Sequence, residues 1–351
     1  MLVPGGLEHA GGIGRWAGYL QRSWQEAGLE PPLEIIDTRG HGHAGRAASS
    51  FARALLRLIT LRAQGRLGLI HANLSKRGST LRKIIVSALA RLLGIPLVIH
   101  LHGSGYHEFY DPLPPRLQRP IRAMFRRAAR VIVLGQFWAD WVADRMDLPS
   151  HRIDILYNGV PATTRQPRSA TPHIVLLGRI GPRKGVPELL EALTAIADRS
   201  WTATLAGDGD LEPYRSFVAE HGLAPRIHFP GWLDAEAAAA LLQSADILAL
   251  PSHAENFPIS IIEALAASVA VVATPVGATP ELLQDGISAL FVPIADAEAL
   301  ANALLRLLDD PALRHSIAEA GHAIFRRDLD ITRLARRLAQ MHTETIAARS
   351  T

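Results

Sequence analysis

Short apolar runs alternate with helix-patterned segments along the whole chain, and this alternation constrains the fold more than any other feature. Parallel sheets are covered by helices on both faces, so their strands read as continuous apolar runs. The alternation therefore predicts an α/β fold with parallel sheets. We predict strands at Met1–Val3, Leu67–Asn73, Leu97–Leu101, Val131–Leu134, Ile153–Leu156, Ile174–Leu177, Ala203–Ala206, Ile247–Leu250, Val269–Ala273 and Ala289–Val292.

The chain is too long for one ordinary core. Its 351 residues favour two domains. The segment "GVPATTRQPRSATPH", residues 159–173, is polar, rich in Pro and Thr, and has no periodicity, so we predict the linker there. We expect Rossmann-like domains at 1–165 and 166–330. The first 165 residues carry 22 Lys and Arg against 11 Asp and Glu, whereas the remainder carries 15 against 22. That asymmetry indicates two domains with different partners.

Composition excludes several classes of protein. There is no cysteine, which excludes a disulfide framework, thiolate catalysis and a Cys-based metal site. No stretch approaches the ~18 uncharged apolar residues of a spanning helix. The N-terminal residues do not show a basic region followed by an apolar one, so we expect no signal peptide. These features together predict a cytoplasmic protein.

The segment "GRIGPRKGVPELLEAL" follows the predicted strand Ile174–Leu177. It places Arg179 and Lys184 beside a helix N-terminus at the carboxyl end of that strand. Ligands of open α/β sheets bind at this edge, and two cations beside a helix N-terminus suit a diphosphate. A solvated basic turn explains the same residues equally well.

The segment "HAENFPISIIEALA" carries two carboxylates, Glu255 and Glu263, eight residues apart. Pro258 suits a helix start. A helix beginning there leaves Glu255 in the loop and places Glu263 about one turn inside an apolar helix. Burying a charge among Ile and Leu is costly unless it is paired, which indicates a ligand for Glu263. The alternative is one capping and one snorkelling acid.

Other acidic and histidine residues give weak signals for a metal. Asp208 and Asp210 lie in a Gly-rich turn after a strand, where turn formation and helix capping explain them better than cation binding. His100, His102 and His107 lack the spacing of a zinc site. We therefore expect no metal site.

The first domain begins with a Gly-rich segment, "GGLEHAGGIGR", that includes Gly12 and does not match a dinucleotide fingerprint. His100 and His102 alternate at the end of a strand. We expect only one of them, His102 beside Gly103, to face a ligand; a hydrogen-bonded structural histidine is the alternative. The segment Arg116–Arg130 resembles a basic amphipathic helix that lies on anionic lipid, although a solvated helix face explains it equally well. Nucleic-acid binding is not indicated.

Taken together, these motifs resemble the retaining nucleotide-sugar glycosyltransferases of family four. The resemblance covers nearly the whole chain and is carried by "GGIGR", "HLHGS", "LYNGV", "LGRIGPRKG", "AGDGDLEPY", "FPGWL" and the Glu-x7-Glu element Glu255–Glu263. It implies the GT-B fold, with two Rossmann-like domains facing a central cleft. It also implies that a final helix, about 331–351, packs back on the first domain, and that no cofactor is needed.

The resemblance implies roles for individual residues. Arg179 and Lys184 would hold the donor diphosphate and stabilise the leaving charge, Glu255 would contact the donor sugar and Glu263 would bind the ribose hydroxyls. The candidate donor-binding residues are Gly12, Arg179, Lys184, Glu255, Asn256, Phe257 and Glu263, and the candidate catalytic residues are Glu255, His102, Arg179 and Lys184. Asn256 and Pro258 stand where the family often has glycine, which leaves the donor sugar open.

The expected activity is transfer of a sugar from a nucleotide-diphosphate sugar to a glycan or lipid-linked acceptor in polysaccharide biosynthesis. We expect peripheral contact with an anionic membrane, at its inner face, through Arg116–Arg130. Two alternatives remain open. The chain could be an epimerase or hydrolase of GT-B type, or a non-catalytic sugar-nucleotide binding protein.

Overall fold

The computed structural model of the protein describes residues 1–7, 12–40, 44–164 and 169–348. It divides into two compact units. The first comprises the chain up to Gly159 together with the segment that begins at Ile331, and the second is Val160–Asp330. The predicted boundary between residues 165 and 166 lies outside the described residues. Among the described residues, no helix is both long and apolar enough to cross a bilayer.

The first unit is built on a six-stranded sheet in which every pairing is parallel, in the order β2-β1-β3-β4-β5-β6. Its strands are β1 (Leu2–Val3), β2 (Ile36–Asp37), β3 (Ile70–Leu74), β4 (Leu97–Leu101), β5 (Arg130–Val133) and β6 (Ile153–Ile155). Its helices are α1 (Gly12–Glu26), α2 (Ala44–Ala63), α3 (Gly78–Leu93), α4 (Tyr106–Tyr110), α5 (Pro115–Arg127), α6 (Gln136–Met146) and, at the end of the chain, α14 (Ile331–Ala347).

Strand order assigns these helices to the two faces of the first sheet. The connections through α2, α3, α5 and α6 all cross the sheet in one direction, and α1 crosses in the other. Because such crossovers are right-handed, α2, α3, α5 and α6 cover one face and α1 covers the opposite face. The contacts agree, since α3 packs against both α2 and α5, while α14 packs against α1.

The second unit has a parallel sheet in the order β12-β11-β10-β7-β8-β9. Its strands are β7 (His173–Leu177), β8 (Thr202–Ala206), β9 (Ile227–Gly231), β10 (Ile247–Leu250), β11 (Ala270–Ala273) and β12 (Leu290–Phe291). Its helices are α7 (Val186–Ala195), α8 (Glu212–Glu220), α9 (Ala235–Ser244), α10 (Ile259–Ala266), α11 (Thr279–Leu282), α12 (Ala297–Asp309) and α13 (Pro311–Ile324).

The predicted α/β fold with two parallel sheets is confirmed, and all ten predicted strands are present with small shifts at their ends. Two strands escaped prediction. β2 has two residues, too few for an apolar run. β9 contains His228 and Pro230, both exposed, so its sequence alternates instead of reading as a continuous run. Both strands lie at a sheet edge, where one side needs no partner strand.

Four histidines are buried between the first sheet and α14. The ring nitrogens Nδ1 of His71 and Nε2 of His342 lie 2.9 Å apart, and the ring centroids of His100 and His102 lie 4.0 Å apart. Trp16 of α1 packs against both His100 and His102. Burial lowers the pKa of His102 and of His342 to about 3, and it lowers the pKa of His71 and of His100 well below the usual value. These imidazoles are therefore neutral in the folded protein.

We expect this cluster to make the fold sensitive to acid. The folded-state pKa values lie below the unfolded value near 6.5, so the unfolded chain binds more protons, and stability is complete above that pH and decreases below it. Each imidazole contributes about 1.4 kcal/mol per pH unit below its unfolded pKa until the folded group titrates. Denaturant unfolding at pH 8, 6.5 and 5 measures the effect.

The variant His100→Phe isolates the histidine contribution. Neither ring nitrogen of His100 has a hydrogen-bond partner among the described residues, so a phenyl ring fits its aromatic surroundings and removes one titrating group. We expect a shallower loss of stability between pH 6.5 and 5 in this variant. His315→Phe, on the exposed side of α13, is the matched control and should follow the wild type. An unchanged slope in His100→Phe would contradict the prediction.

Candidate functional site

The candidate site lies at the carboxyl edge of the second sheet, where the loops after β7, β8 and β10 emerge. Ligands of open α/β sheets bind at this edge. The loop after β7 is anchored on the loop after β8, because Gly178 N donates to Ala206 O at 3.0 Å and Ile180 N donates to Asp208 O at 2.7 Å. Residues Pro182–Lys184 then form a short 3-10 turn that leads into α7. These backbone bonds fix the position from which Lys184 projects.

An ion pair between Lys184 and Glu255 lies at the centre of this edge. Lys184 Nζ is 2.8 Å from Glu255 Oε1, and the two side chains are only 9% and 11% exposed. The sequence analysis singled out both residues, which are 71 positions apart in the chain. Since β7 and β10 are neighbours in the sheet, the loops that follow them meet. A charge pair held this far from water interacts more strongly than one on the surface.

Arg183 is a residue that the sequence analysis missed. Its Nη1 lies 3.6 Å from Glu255 Oε1 and donates to the Ala254 carbonyl at 2.8 Å. The backbone carbonyl of Arg183 also accepts a hydrogen bond from His253 N at 2.9 Å. Arg183 therefore joins the loop after β7 to the loop after β10. Its position between Pro182 and Lys184 in the Gly/Pro turn was the available signal.

A second pair joins α7 to the loop after β10. His253 Nε2 lies 2.8 Å from Glu188 Oε1, on the first turn of α7. This pair has no distinctive spacing in the sequence, since its members are 65 residues apart. Together with the Arg183 contacts, this pair holds the loop that carries Glu255.

Gly178 and Gly185 leave space for the ion pair and for the loops that carry it. A Cβ on Gly178 would lie 2.7 Å from Lys184 Cε, so the lysine side chain occupies the space that any other residue would fill. Gly185 has φ +69°, and a Cβ there would lie 2.1 Å from the carbonyl oxygen of Pro251. The close approach of the β10 loop to the β7 loop therefore depends on Gly185.

Glu263 lies in the fifth position of α10, which begins at Ile259 immediately after Pro258, as predicted. Every residue of this helix is buried, and Glu263 is 8% exposed. Asn256 and Phe257 are buried too, in the loop that links Glu255 to the helix. The carbonyl of Asn256 accepts a hydrogen bond from Ala278 N at 2.7 Å, which fixes this loop against the segment after β11.

Arg179 is placed differently from Lys184. It is exposed, and no residue that the structure describes forms an ion pair with its guanidinium. It follows β7 directly, beside the start of the loop after β8. Nearby, Asp210 Oδ1 accepts a hydrogen bond from Glu212 N at 3.3 Å, the turn role favoured by the sequence. Within the described ranges, no group of three or more His, Asp or Glu side chains could hold a metal ion.

The two candidate residues of the first unit have contrasting surroundings. Gly12 is exposed and is the first residue of α1; Gly11, beside it in the same motif, lies outside the described residues. His102 is 8% exposed, and its Nε2 lies 2.8 Å from Asn73 Oδ1. The amide oxygen only accepts, so His102 Nε2 carries the proton.

The expectation that His100 and His102 point in opposite directions is wrong. Their ring centroids are 4.0 Å apart, and both rings pack against Trp16. The physical reason is the pleat of the strand: residues two positions apart project from the same face.

We expect Gly185→Ala to damage this edge of the sheet specifically. Any L-residue there adopts an unfavourable positive φ at a cost of about 1 kcal/mol, and the new Cβ would also collide with Pro251 O. We expect a loss of stability of at least about 3 kcal/mol in urea unfolding.

Gly222→Ala is the matched control in the same unit. Gly222 has φ +68°, and nothing lies within 4 Å of its hypothetical Cβ. This variant should lose only about 1 kcal/mol of unfolding free energy, which is the cost of placing alanine at a positive φ. Equal losses in the two variants would show that the contact between Gly185 and Pro251 does not constrain the site.

Two family models match the chain. A model described as Glycosyltransferase Family 4 matches residues 10–164, and one described as Glycosyl transferases group 1 matches residues 171–310. Between them the models cover most of the chain. Each match falls largely within one of the two structural units.

Individual proteins point to the same class. An Alpha-D-kanosaminyltransferase from Streptomyces kanamyceticus is 28% identical over 66% of this chain and 66% of its own length. Sucrose-phosphate synthase from Thermosynechococcus elongatus has a similar structure, with a TM-score of 0.78, 20% identity, and coverage of 99% of this chain and 98% of that one. Anabaena HepE in complex with UDP-glucose gives a TM-score of 0.68 at 21% identity, covering 89% and 86%. The structural matches show a shared fold.

Proposed function

The chain belongs to the glycosyltransferases of the GT-B fold, and we propose that it transfers a sugar, with retention of anomeric configuration, from a nucleotide-diphosphate sugar to a glycan or lipid-linked acceptor. The observation that carries this proposal is the buried ion pair of Lys184 and Glu255 at the carboxyl edge of the second sheet. A solvated basic turn would not bury its lysine against a carboxylate from another strand.

The pair suits the two halves of such a donor. A diphosphate needs cations, and the hydroxyls of a sugar need carboxylates and other acceptors. We assign the diphosphate to Lys184 and Arg179, and the donor sugar to Glu255. Holding Glu255 beside Lys184 keeps the carboxylate aimed at one place before the donor arrives. Asn256 and Phe257 complete the donor-binding loop.

The chemical step breaks the bond between the anomeric carbon and the diphosphate oxygen, so negative charge develops on the leaving diphosphate. Lys184 and Arg179 stabilise that charge, which is the interaction that strengthens most in the transition state. The acceptor oxygen bonds to the anomeric carbon on the face from which the diphosphate leaves, and its proton passes to the leaving phosphate. This front-side course retains the configuration of the sugar.

Glu263 and the first-unit residues complete the assignment. We assign the ribose hydroxyls to Glu263, which is buried in α10. We assign Gly12 to the donor phosphates. His102 acts as a hydrogen-bonding group, because burial lowers its pKa to about 3 and leaves the imidazole neutral at physiological pH. We place the activity in polysaccharide biosynthesis on the cytoplasmic side of the membrane.

We expect Glu255→Gln and Lys184→Met to lose transfer while remaining folded, with a lower melting temperature because the remaining charge loses its partner. Each removes one charge of the pair, and a loss of at least about 100-fold in kcat/KM is expected for a group that stabilises the leaving charge. Transfer is measured with UDP-glucose, GDP-mannose or ADP-glucose as the donor and an extract of lipid-linked glycans as the acceptor. Only the cognate nucleotide should raise the melting temperature strongly.

Glu298→Gln and Arg306→Met, both exposed on α12, are the matched controls and should keep wild-type transfer. Near-wild-type transfer in both site variants would contradict the assignment of Glu255 and Lys184 to the donor site. A product of inverted anomeric configuration, read from its proton coupling constant, would contradict retention. Turnover of the donor without any acceptor would favour an epimerase or hydrolase.

We expect Glu263→Gln to weaken recognition of the ribose. Isothermal titration with the cognate nucleoside diphosphate and its 2′,3′-dideoxy analogue separates this role from general stability. The wild type should prefer the ribose form by at least about tenfold, as a charge-assisted hydrogen bond contributes about 1.5–3 kcal/mol. The variant should bind both forms equally. A preference that survives in Glu263→Gln would exclude the assigned role.

A further inference from the structure

On one face of the first unit, three of the helices, α2, α3 and α5, contain no acidic residue. From residue 38 to residue 107 the sequence contains eleven Arg and Lys and no Asp or Glu. This stretch includes all of α2 and α3. The neighbouring helix α5 also has no acidic residue and carries five arginines. These three helices cover the same face of the sheet and pack side by side, so their outer surfaces together form a cationic face, on which Arg57 of α2 pairs with Glu34 at 2.7 Å.

The outer side of α3 carries an apolar stripe. Leu81, Ile85 and Leu92 are 63%, 42% and 83% exposed, and Ala88 between them is exposed too. These positions are spaced by four, three and four residues, which places them on one line along the helix. The inner side of the helix already contributes Val86 and Ala90 to the core. The stripe is therefore a second apolar face, directed away from the protein.

A parallel stripe runs along α2. Leu56 and Ile59 are 63% and 44% exposed, and Ala52 and Ala63 extend the line in the same four, three, four spacing. Scattered exposed apolar residues are ordinary, but two aligned stripes on helices that pack together indicate an apolar patch and a contact surface.

The arginines of α5 border this patch. Its core-facing residues are Ile121, Met124 and Phe125, and the arginines lie on the solvent side. Arg119, Arg122, Arg126 and Arg127, with Ala123, line an open groove of about 420 Å³. Several like charges beside one groove favour the binding of an anion there. The cationic face ends at the end of α6, where Asp147 Oδ2 and Arg126 Nη1 form an ion pair at 3.6 Å.

We propose that the outer faces of α2, α3 and α5 form a docking surface for an anionic lipid bilayer. The stripes of α2 and α3 enter the boundary between headgroups and acyl chains, and the α5 groove binds lipid phosphates. This surface extends the membrane contact expected from Arg116–Arg130 alone. Apolar side chains beside arginines match the apolar and anionic layers of such a surface.

A second copy of the chain fits this surface less well. A two-fold contact would place the same face against itself. The arginines would then meet arginines, because α2, α3 and α5 offer no carboxylate in return. The inference concerns a surface outside the donor site, and its test uses neither donor nor acceptor. Its outcome is therefore independent of the proposed transfer.

Co-sedimentation of the full chain with sucrose-loaded vesicles tests the surface. Vesicles of 70% phosphatidylcholine and 30% phosphatidylglycerol are compared with pure phosphatidylcholine. The wild type should bind the anionic vesicles, and raising the salt concentration should weaken binding. Arg119→Glu/Arg122→Glu/Arg127→Glu should lower the partition coefficient by at least about 100-fold, since each basic residue near the surface strengthens binding about fivefold. Leu81→Gln/Ile85→Gln/Leu92→Gln should lower it by about tenfold or more.

The second unit supplies matched controls. Arg306→Glu reverses an exposed arginine there. Ile287→Gln/Ile294→Gln replaces apolar residues that are 51% and 48% exposed. Both should bind vesicles like the wild type, and all variants should keep the wild-type melting temperature because the changed residues are exposed. The proposal is overturned if either surface variant binds like the wild type, or if neutral vesicles bind equally.

Two further results would overturn the proposal in favour of another occupant. A dimer that light scattering detects without vesicles, and that the α3 variant abolishes, would assign the stripe to a second copy. A 20-base-pair DNA duplex that binds as tightly as the vesicles, and is lost in the α5 variant, would assign the arginines to nucleic acid.

Discussion

The ion pair between Lys184 and Glu255 is the interaction on which the candidate site depends. It joins the loops after two neighbouring strands, with both side chains nearly buried. Gly178 leaves room for the lysine, Gly185 allows the β10 loop to approach, and Arg183 and His253 bind across the same junction. Leaving either charge alone in this place would be costly. The loops are therefore organised around the pair, which presents a cation and a carboxylate at one point of the sheet edge.

The first unit uses its two faces differently. On the side of α1 and α14, four neutral histidines and two tryptophans form a buried layer that joins the last helix to the sheet. On the opposite side, α2, α3 and α5 present arginines and exposed apolar stripes. Burial explains why the histidines are neutral, and the absence of acidic residues from α2, α3 and α5 explains the positive charge of the opposite side. The excess positive charge of this half is thus concentrated where we propose lipid contact.

Most of the fold was predictable from the sequence because parallel strands leave a clear apolar signal. The exceptions were β2, with only two residues, and β9, whose His228 and Pro230 interrupt the apolar pattern. The candidate site was predictable in part. Glycine, proline and charge mark Arg179, Lys184 and Glu255 locally. Arg183 and the pair of His253 with Glu188 carry no such mark, because their partners are distant in sequence. The directions of His100 and His102 were misjudged because the pleat places both on one face.

The sequence by itself determined that the chain forms two parallel α/β units, with cations and carboxylates after particular strands. Strand alternation and turn residues act locally, so they can be read without coordinates. Only the tertiary structure decided that Lys184 pairs with Glu255, that four histidines share one buried layer, and that the stripes of α2 and α3 face outward. These facts depend on which strands are neighbours and on which side of the sheet each helix lies. Strand order and crossover direction are properties of the assembled sheet, and no single segment encodes them.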